Sequence, residues 1–425
     1  MKILVTGAAG FIGRHVVRAL RAAGHDVLEL HRRPPGSEPQ YVAGDFARDT
    51  DPAAWRPRLA GVEAVVNAVG ILRQSGAQSF SALHIDAPRA LFTACVETGV
   101  RKVVQISALG ADSEARSRYH LSKATADRWL MGLPLAWIVV QPSLVFGEGG
   151  ASARLFRTLA SMPVIVLPGT GEQRVQPVHV DDVAELCVRA IADASLERRI
   201  IAAVGSRAYS VRELLADLRH GLGLGVPRFI AVPARLMRLA GRLADVVPSA
   251  AFDTETLQML ARGNVAPVDG IAAALGRAPR LALAWGGESL RSRPRPEADW
   301  ARLNWLLPLL RFSIALVWIV TGIVSLGVYP VTESYALLAR VGLSGIPAAI
   351  ALYGAAALDL LLGLGTLFLR RRLWLWRAQI AVIAGYSAVI ALALPEFWLH
   401  PFGPLLKNVP LLALLIALHE LERRH

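Results

Sequence analysis

The chain has 425 residues, 54% of them hydrophobic and 19% charged, with a mean hydropathy of +0.42: room for two or three compact units and more apolar mass than a water-soluble protein usually carries. Its net charge of +13 comes almost wholly from arginine, the lysines being Lys2, Lys102, Lys123 and Lys407. The basic residues are scattered rather than gathered on one element between aromatics, which excludes a nucleic-acid partner. Cys95 and Cys187 both fall on amphipathic helical patterns and read as small buried apolar residues, so neither a disulfide nor a metal site is expected.

The opening stretch, MKILVTGAAGFIGRHVVRAL, is a short apolar strand over Ile3–Thr6, then Gly7, Gly10 and Gly13, then a helix with Ile12, Val16, Val17 and Leu20 on one face. Glycines at this spacing allow a tight turn and close approach of backbone to a pyrophosphate, while the helix start offers N–H groups and partial positive charge. Gly7, Gly10, Phe11, Ile12 and Gly13 are therefore expected to hold a dinucleotide. No secretory leader precedes the strand, so this domain is expected to stay in the cytosol.

The second strand runs into His31, Arg32 and Arg33. A strand-end carboxylate would hold the ribose hydroxyls of NAD, whereas guanidinium groups suit the 2′-phosphate of NADP. NADP is expected, with NAD kept possible by Glu29 inside the strand. Next comes a buried strand over 62–70 that ends in Asn67, Ala68 and Gly70, then the helix ALFTACVETGV, then a strand ending at Ser107. Tyr119 follows twelve residues later and Lys123 four after that, on one face of a helix. A further strand runs into a loop at Pro142. Near-continuous Val/Ile runs separated by helices predict an α/β fold with a doubly wound parallel sheet. Residues 1–150 form its nucleotide-binding core, and 151–285 the rest of the sheet with a small substrate lobe. In VHVDDVAELCVRAI, Asp181 or Asp182 is expected to cap a helix.

Residues 286–303, rich in Gly, Pro and Arg, read as a linker. Beyond them, 304–421 read as an all-α transmembrane four-helix domain, with apolar segments at about 304–328, 346–369, 376–395 and 405–420, the last the shortest. Arg291, Arg293, Arg295 and Arg302 precede the first segment, Arg370, Arg371, Arg372 and Arg377 separate the second from the third, and Arg423 and Arg424 follow the fourth. The positive-inside rule puts all of these, and so both termini, in the cytoplasm. Trp374, Trp376 and Trp398 read as interfacial anchors. Arg311 and Asp359, charges inside apolar spans, are expected to pair or to line a polar cavity.

A serine, tyrosine and lysine at this spacing after such a glycine turn resemble the short-chain dehydrogenase/reductase superfamily, over about residues 1–240. The elements GDF, NAVG, QPSLVFGEG and RVQPVHVDDVA resemble its extended and atypical members, including the branch of the nucleotide-binding accessory subunit of respiratory complex I. The resemblance implies that Tyr119 is the acid/base, that Lys123 lowers its pKa and holds the nicotinamide ribose, that Ser107 orients the carbonyl, and that Asp45 contacts adenine. It makes His179 a candidate near the substrate. His84 stands where extended members carry a proton-relay asparagine, and is a second substrate candidate. Residues 300–420 resemble the DoxX-like family of small four-helix membrane proteins.

These readings point to a membrane-anchored oxidoreductase that moves hydride between NADP(H) and a carbonyl or alcohol. The substrate is a small molecule that the location makes lipid-like or quinone-like, and the membrane domain meets membrane lipid. A sugar-nucleotide epimerase or dehydratase, and a non-catalytic NADP-binding assembly module of a membrane complex, are the alternatives. The sequence leaves the oligomeric state open.

Overall fold

The structure, a computed structural model, describes residues 1–76, 78–245, 254–283, 296–369, 372–399 and 403–423. Most of the expected linker lies outside these residues, as do Arg291, Arg293, Arg295, Arg370, Arg371 and Arg424. The chain divides into two units, Met1–Ala301 and Arg302–His425.

The first unit is built on seven strands: β1 (Lys2–Thr6), β2 (Asp26–His31), β3 (Tyr41–Ala43), β4 (Ala64–Asn67), β5 (Lys102–Ile106), β6 (Ala136–Pro142) and β7 (Arg199–Ala203). They lie in the order β7-β6-β5-β4-β1-β2-β3, and every pairing is parallel. Both faces are covered, as the unbroken apolar runs require. Along β1, Ile3 and Val5 enter one core with Val16, Val17 and Leu20 of α1 (Phe11–Ala22). Leu4 enters the other core, with Trp55, Leu91 and Phe92. Leu91, Phe92 and Cys95 belong to α2 (Ala87–Glu97), and α3 (Arg118–Met131) runs between β5 and β6. Cys95 and Cys187 are both buried free thiols.

A smaller core gathers Phe146, Phe156, Leu159, Ile165, Leu167 and Leu214. Near it α4 (Val180–Ala192) begins. His179, not an aspartate, caps this helix, its Nδ1 accepting the Asp181 N–H at 3.2 Å. Asp182 is fully buried and pairs with Arg277 at 2.6 Å and with Arg280. The expected cap fails because burial among guanidinium groups gives this carboxylate better partners than a helix end would.

In the second unit, α5 (Pro296–Ile323), α6 (Gly345–Phe368) and α7 (Leu373–Ala393) are apolar enough to cross a bilayer, counting α5 together with its continuation to Val328. Only 22–28% of their most apolar stretches is buried within the protein, which leaves large apolar faces for a membrane to cover. The last helix, α8 (Asn408–Arg423), has 16 residues, or about 24 Å at 1.5 Å per residue, short of a roughly 30 Å hydrocarbon core. Close approach of α5 to α6 is possible because both contact points lack side chains: a Cβ on Gly363 would lie 2.6 Å from Ile319, and one on Gly322 would lie 2.8 Å from Leu360. Trp318 Nε1 donates to Gln379 Oε1 at 2.9 Å, and Gln379 Nε2 donates to Thr366 Oγ1 at 2.8 Å.

Two expectations for this unit change. Arg311 pairs with Glu422, at 2.5 Å, not with Asp359, which lines a cavity instead. Trp376 is no interfacial anchor: it is fully buried and donates Nε1 to Glu422 Oε2 at 3.0 Å, while Trp374 and Trp398 are exposed.

Candidate functional site

The strand order reverses between β1 and β4, and in a parallel sheet that reversal opens a crevice beyond the strands' C-terminal ends. Gly7 leaves β1 with φ +69, and a Cβ on it would lie 2.8 Å from the Ala68 carbonyl. A Cβ on Gly13 would lie 2.0 Å from the Gly7 oxygen, so helix and turn pack this closely only with glycine at both positions. The N-cap Gly10 offers no side chain, and the first turn of α1 holds no acidic residue. Phe11, Ile12 and Gly13 thus open a helix whose first N–H groups have no side-chain acceptor, a cradle that fits a dinucleotide pyrophosphate.

At the far end of β2, Arg32 and Arg33 are exposed, and among the described residues neither makes an ion pair. Glu29 is held elsewhere, by Arg21 at 2.7 Å and His31 at 3.0 Å. Asp45 uses Oδ1 to accept the Ala47 N–H at 3.0 Å, which shapes its own turn. Pro142 ends β6.

On the other side of the crevice, Ser117 caps α3 by accepting the His120 N–H, which sets the first turn and with it Tyr119. Tyr119 is partly exposed and meets Phe80, His84 and His120 edge-on, at 5.2–6.1 Å between ring centres. One turn on, Lys123 is 3% exposed and donates Nζ to the carbonyls of Val69 and Ile106, 3.0 Å each. A Cβ on Gly70 would lie 3.2 Å from that Nζ, so a larger residue there would crowd the ammonium. Burial lowers Lys123 to about 8 and raises Tyr119 to about 12, the Asp127 charge also raising Tyr119. At neutral pH the pair is an ammonium and a neutral phenol.

Four of the expected site residues are engaged within the protein. Ser107 is 4% exposed and gives its hydroxyl proton to Asp127, so it does not hold that proton out to a carbonyl. His84 is 1% exposed, with both ring nitrogens occupied. Its Nε2 accepts the Ile71 N–H at 3.0 Å, and Nδ1 lies 2.9 Å from Ser122 Oγ, which in turn donates to the Tyr119 carbonyl at 2.7 Å. That pattern makes Nδ1 the protonated nitrogen and His84 a pin between the β4 loop and α3. Burial, with the Lys123 charge, holds its pKa down at about 2. Asn67, fully buried, accepts from Thr6 at 2.6 Å and donates to Gln105 at 2.7 Å; it ties three strand ends together. His179 spends Nδ1 on its helix cap.

Asp127 was not among the expected site residues. It is 3% exposed, and burial raises it to about 6 against the opposing pull of the Ser107 hydrogen bond and the Lys123 charge. The signal was available: 119, 123 and 127 stand four apart, on one face of α3.

Residues 3–203 match the NAD dependent epimerase/dehydratase family, and residues 315–416 match the DoxX-like family. The chain therefore joins a domain of the first kind to one of the second. It is 29% identical over 251 residues to a ceramide reductase of Caulobacter vibrioides, a match covering 57% of this chain and 77% of that protein. It is 26% identical over 279 residues to the mitochondrial NADH dehydrogenase (ubiquinone) 1 alpha subcomplex subunit 9 of Mus musculus, covering 62% and 73%. Among solved structures, DesIV, a dTDP-glucose 4,6-dehydratase of Streptomyces venezuelae with NAD bound, aligns over 72% of this chain and 98% of its own at a TM-score of 0.52 and 22% identity, a likeness of fold.

Proposed function

We propose that the first unit is an NADP(H)-dependent oxidoreductase acting on a carbonyl or alcohol of a lipid-like molecule, tethered to the cytoplasmic membrane by the second, with both termini in the cytoplasm. The observation that carries the reading is the Tyr119–Lys123 pair: a partly exposed neutral phenol one turn from a buried ammonium fixed by two backbone carbonyls. The bound cofactor supplies or accepts hydride. In reduction, Tyr119 gives its proton to the carbonyl oxygen as that oxygen gains electrons, and Lys123 stabilises the phenolate left behind. In oxidation the proton returns. Exposed Arg32 and Arg33, with Glu29 clamped by Arg21 and His31, support the phosphorylated cofactor. The ceramide reductase relative supports a lipid-like substrate.

Two alternatives have support of their own. The family match and the dehydratase neighbour favour sugar-nucleotide chemistry by the same tyrosine. The Ser107–Asp127 bond and the complex I relative favour a cofactor held for assembly, without turnover. The deciding experiment supplies full-length protein in lipid with NADPH and a long-chain keto-lipid and, separately, with NADP⁺ or NAD⁺ and a nucleotide sugar. Oxidation of NADPH with the lipid alone is the expected result. Epimerised sugar at constant NADP⁺ or NAD⁺, or bound NADPH with no turnover, would each replace the proposal.

A further inference from the structure

The second unit contains a cavity of about 140 Å³ lined by Ile314, Val317, Trp318, Asp359, Tyr386 and Asn408, among others. Asp359 is residue 15 of the 24 in α6, about 14 Å from one helix end and about 21 Å from the other at 1.5 Å per residue. It is 4% exposed, and its Oδ1 is buried with no hydrogen-bond partner. A carboxyl at that depth is costly when unpartnered. Arg311, the other charge inside these apolar helices, pairs with Glu422 instead. Of the other polar wall groups, Thr321 donates to the Val317 carbonyl at 2.7 Å and Asn408 donates to Ser387 at 2.8 Å, while the Tyr386 hydroxyl makes no hydrogen bond among the described residues.

We propose that this cavity binds the hydroxyl-bearing head of a bilayer-soluble molecule, with Asp359 as the acceptor. A free carboxyl acceptor asks for a donor. A metal cation would need several oxygens around it, and the lining offers a single carboxyl. The volume is close to the roughly 150 Å³ cavity that holds a benzene ring, so the head has about the bulk of a six-membered ring. Trp318, Tyr386 and the aliphatic residues supply its apolar surroundings.

The inference rests on residues 302–423 lying in the membrane, which carbonate extraction of membranes tests separately; a protein released by carbonate would sink that premise and the site with it. The site itself is tested on full-length protein in nanodiscs, with empty discs as background. The probes are radiolabelled 4-butylphenol and butylbenzene, which share an apolar body and differ by one donor. Saturable binding of the phenol, on the order of tenfold tighter than butylbenzene, is expected from one buried hydrogen bond. Asp359→Leu should abolish that preference, and Asp359→Asn, which keeps an acceptor, should restore most of it. Leu411→Trp, filling the cavity, should remove binding of both probes, whereas Leu361→Phe, at a 68% exposed position, should leave both unchanged. Absence of saturable binding, or equal affinities for the two probes in wild type and Asp359→Leu, overturns the assignment.

Discussion

Among the described residues, each unit of this protein buries one aspartate with an orphan oxygen, Asp127 in the sheet domain and Asp359 in the helical one. Their company differs. Asp127 receives the Ser107 proton on its other oxygen and feels the Lys123 ammonium. Asp359 Oδ1 has no hydrogen-bond partner among the described residues, and Arg311 is taken by Glu422. A buried carboxylate with a donor and a cation beside it belongs to an internal network that positions other groups. One facing a cavity without either is an acceptor kept open. Burial and residue type alone do not separate the two cases; the partners do.

The largest effect that would sharpen this contrast lies on the network's exposed end. Tyr119→Phe removes one oxygen and should cut turnover by on the order of a hundredfold or more, the usual worth of a positioned general acid. NADPH binding, measured on the same preparation, should survive, because Lys123 and the glycine turn remain. Full activity in that variant would end the reading of Tyr119 as the acid.

The next test breaks the comparison directly. Asp127→Ala strips Ser107 of its acceptor and Lys123 of its counter-charge, and should destabilise the first unit by about 1–3 kcal/mol in denaturant unfolding. Asp359→Leu deletes no partnered bond and should leave thermal stability in lipid unchanged or raised. If both substitutions destabilise alike, the two aspartates do the same job and the contrast is void.

Cofactor choice should move less. Arg32→Asp should weaken NADPH by about tenfold relative to NADH, the value of one charge-assisted contact. Equal losses in titration would detach the strand-end arginines from the 2′-phosphate.

The last effect is in pH. His84 has a folded pKa near 2 against 6.5 when unfolded, so the unfolded chain takes up the proton first. Its contribution to stability is complete above pH 6.5 and is lost as pH falls below it, at up to about 1.4 kcal/mol per unit. Amide exchange at Ile71, whose N–H the ring accepts, should quicken over that range in wild type and flatten in His84→Gln. Identical profiles would show that the ring is not the titrating pin.

Much of the fold was legible. The glycine spacing, the buried Val/Ile strands and the Tyr–Lys pair are local patterns, and local patterns survive into three dimensions. Partners set by long chain separation were not. Nothing around Arg311 points to Glu422, 111 positions away, and nothing around Ser107 shows that its proton goes to a helix on the far side of a loop. Trp376 looked like a membrane anchor because tryptophan beside arginine at a helix end usually is one; a half-buried glutamate partner made it core instead. His179 took the cap from two aspartates because Asp182 had stronger partners in Arg277 and Arg280.

The segment Ser81–Asp86 that carries His84 is a π-helix, in which the Ala87 N–H reaches back five residues to the Ala82 carbonyl. Relative to an ordinary helix it holds one residue of slack. Deleting Ile85 or Asp86 would restore the regular winding and swing what precedes it, His84 included, by about 100° relative to α2. His84 would then leave Ile71 and Ser122, even with every side chain named above still present. Alignment gaps in this stretch therefore carry functional meaning: a homologue one residue shorter has exchanged the pin for a straight helix, and its tyrosine must be held by other means.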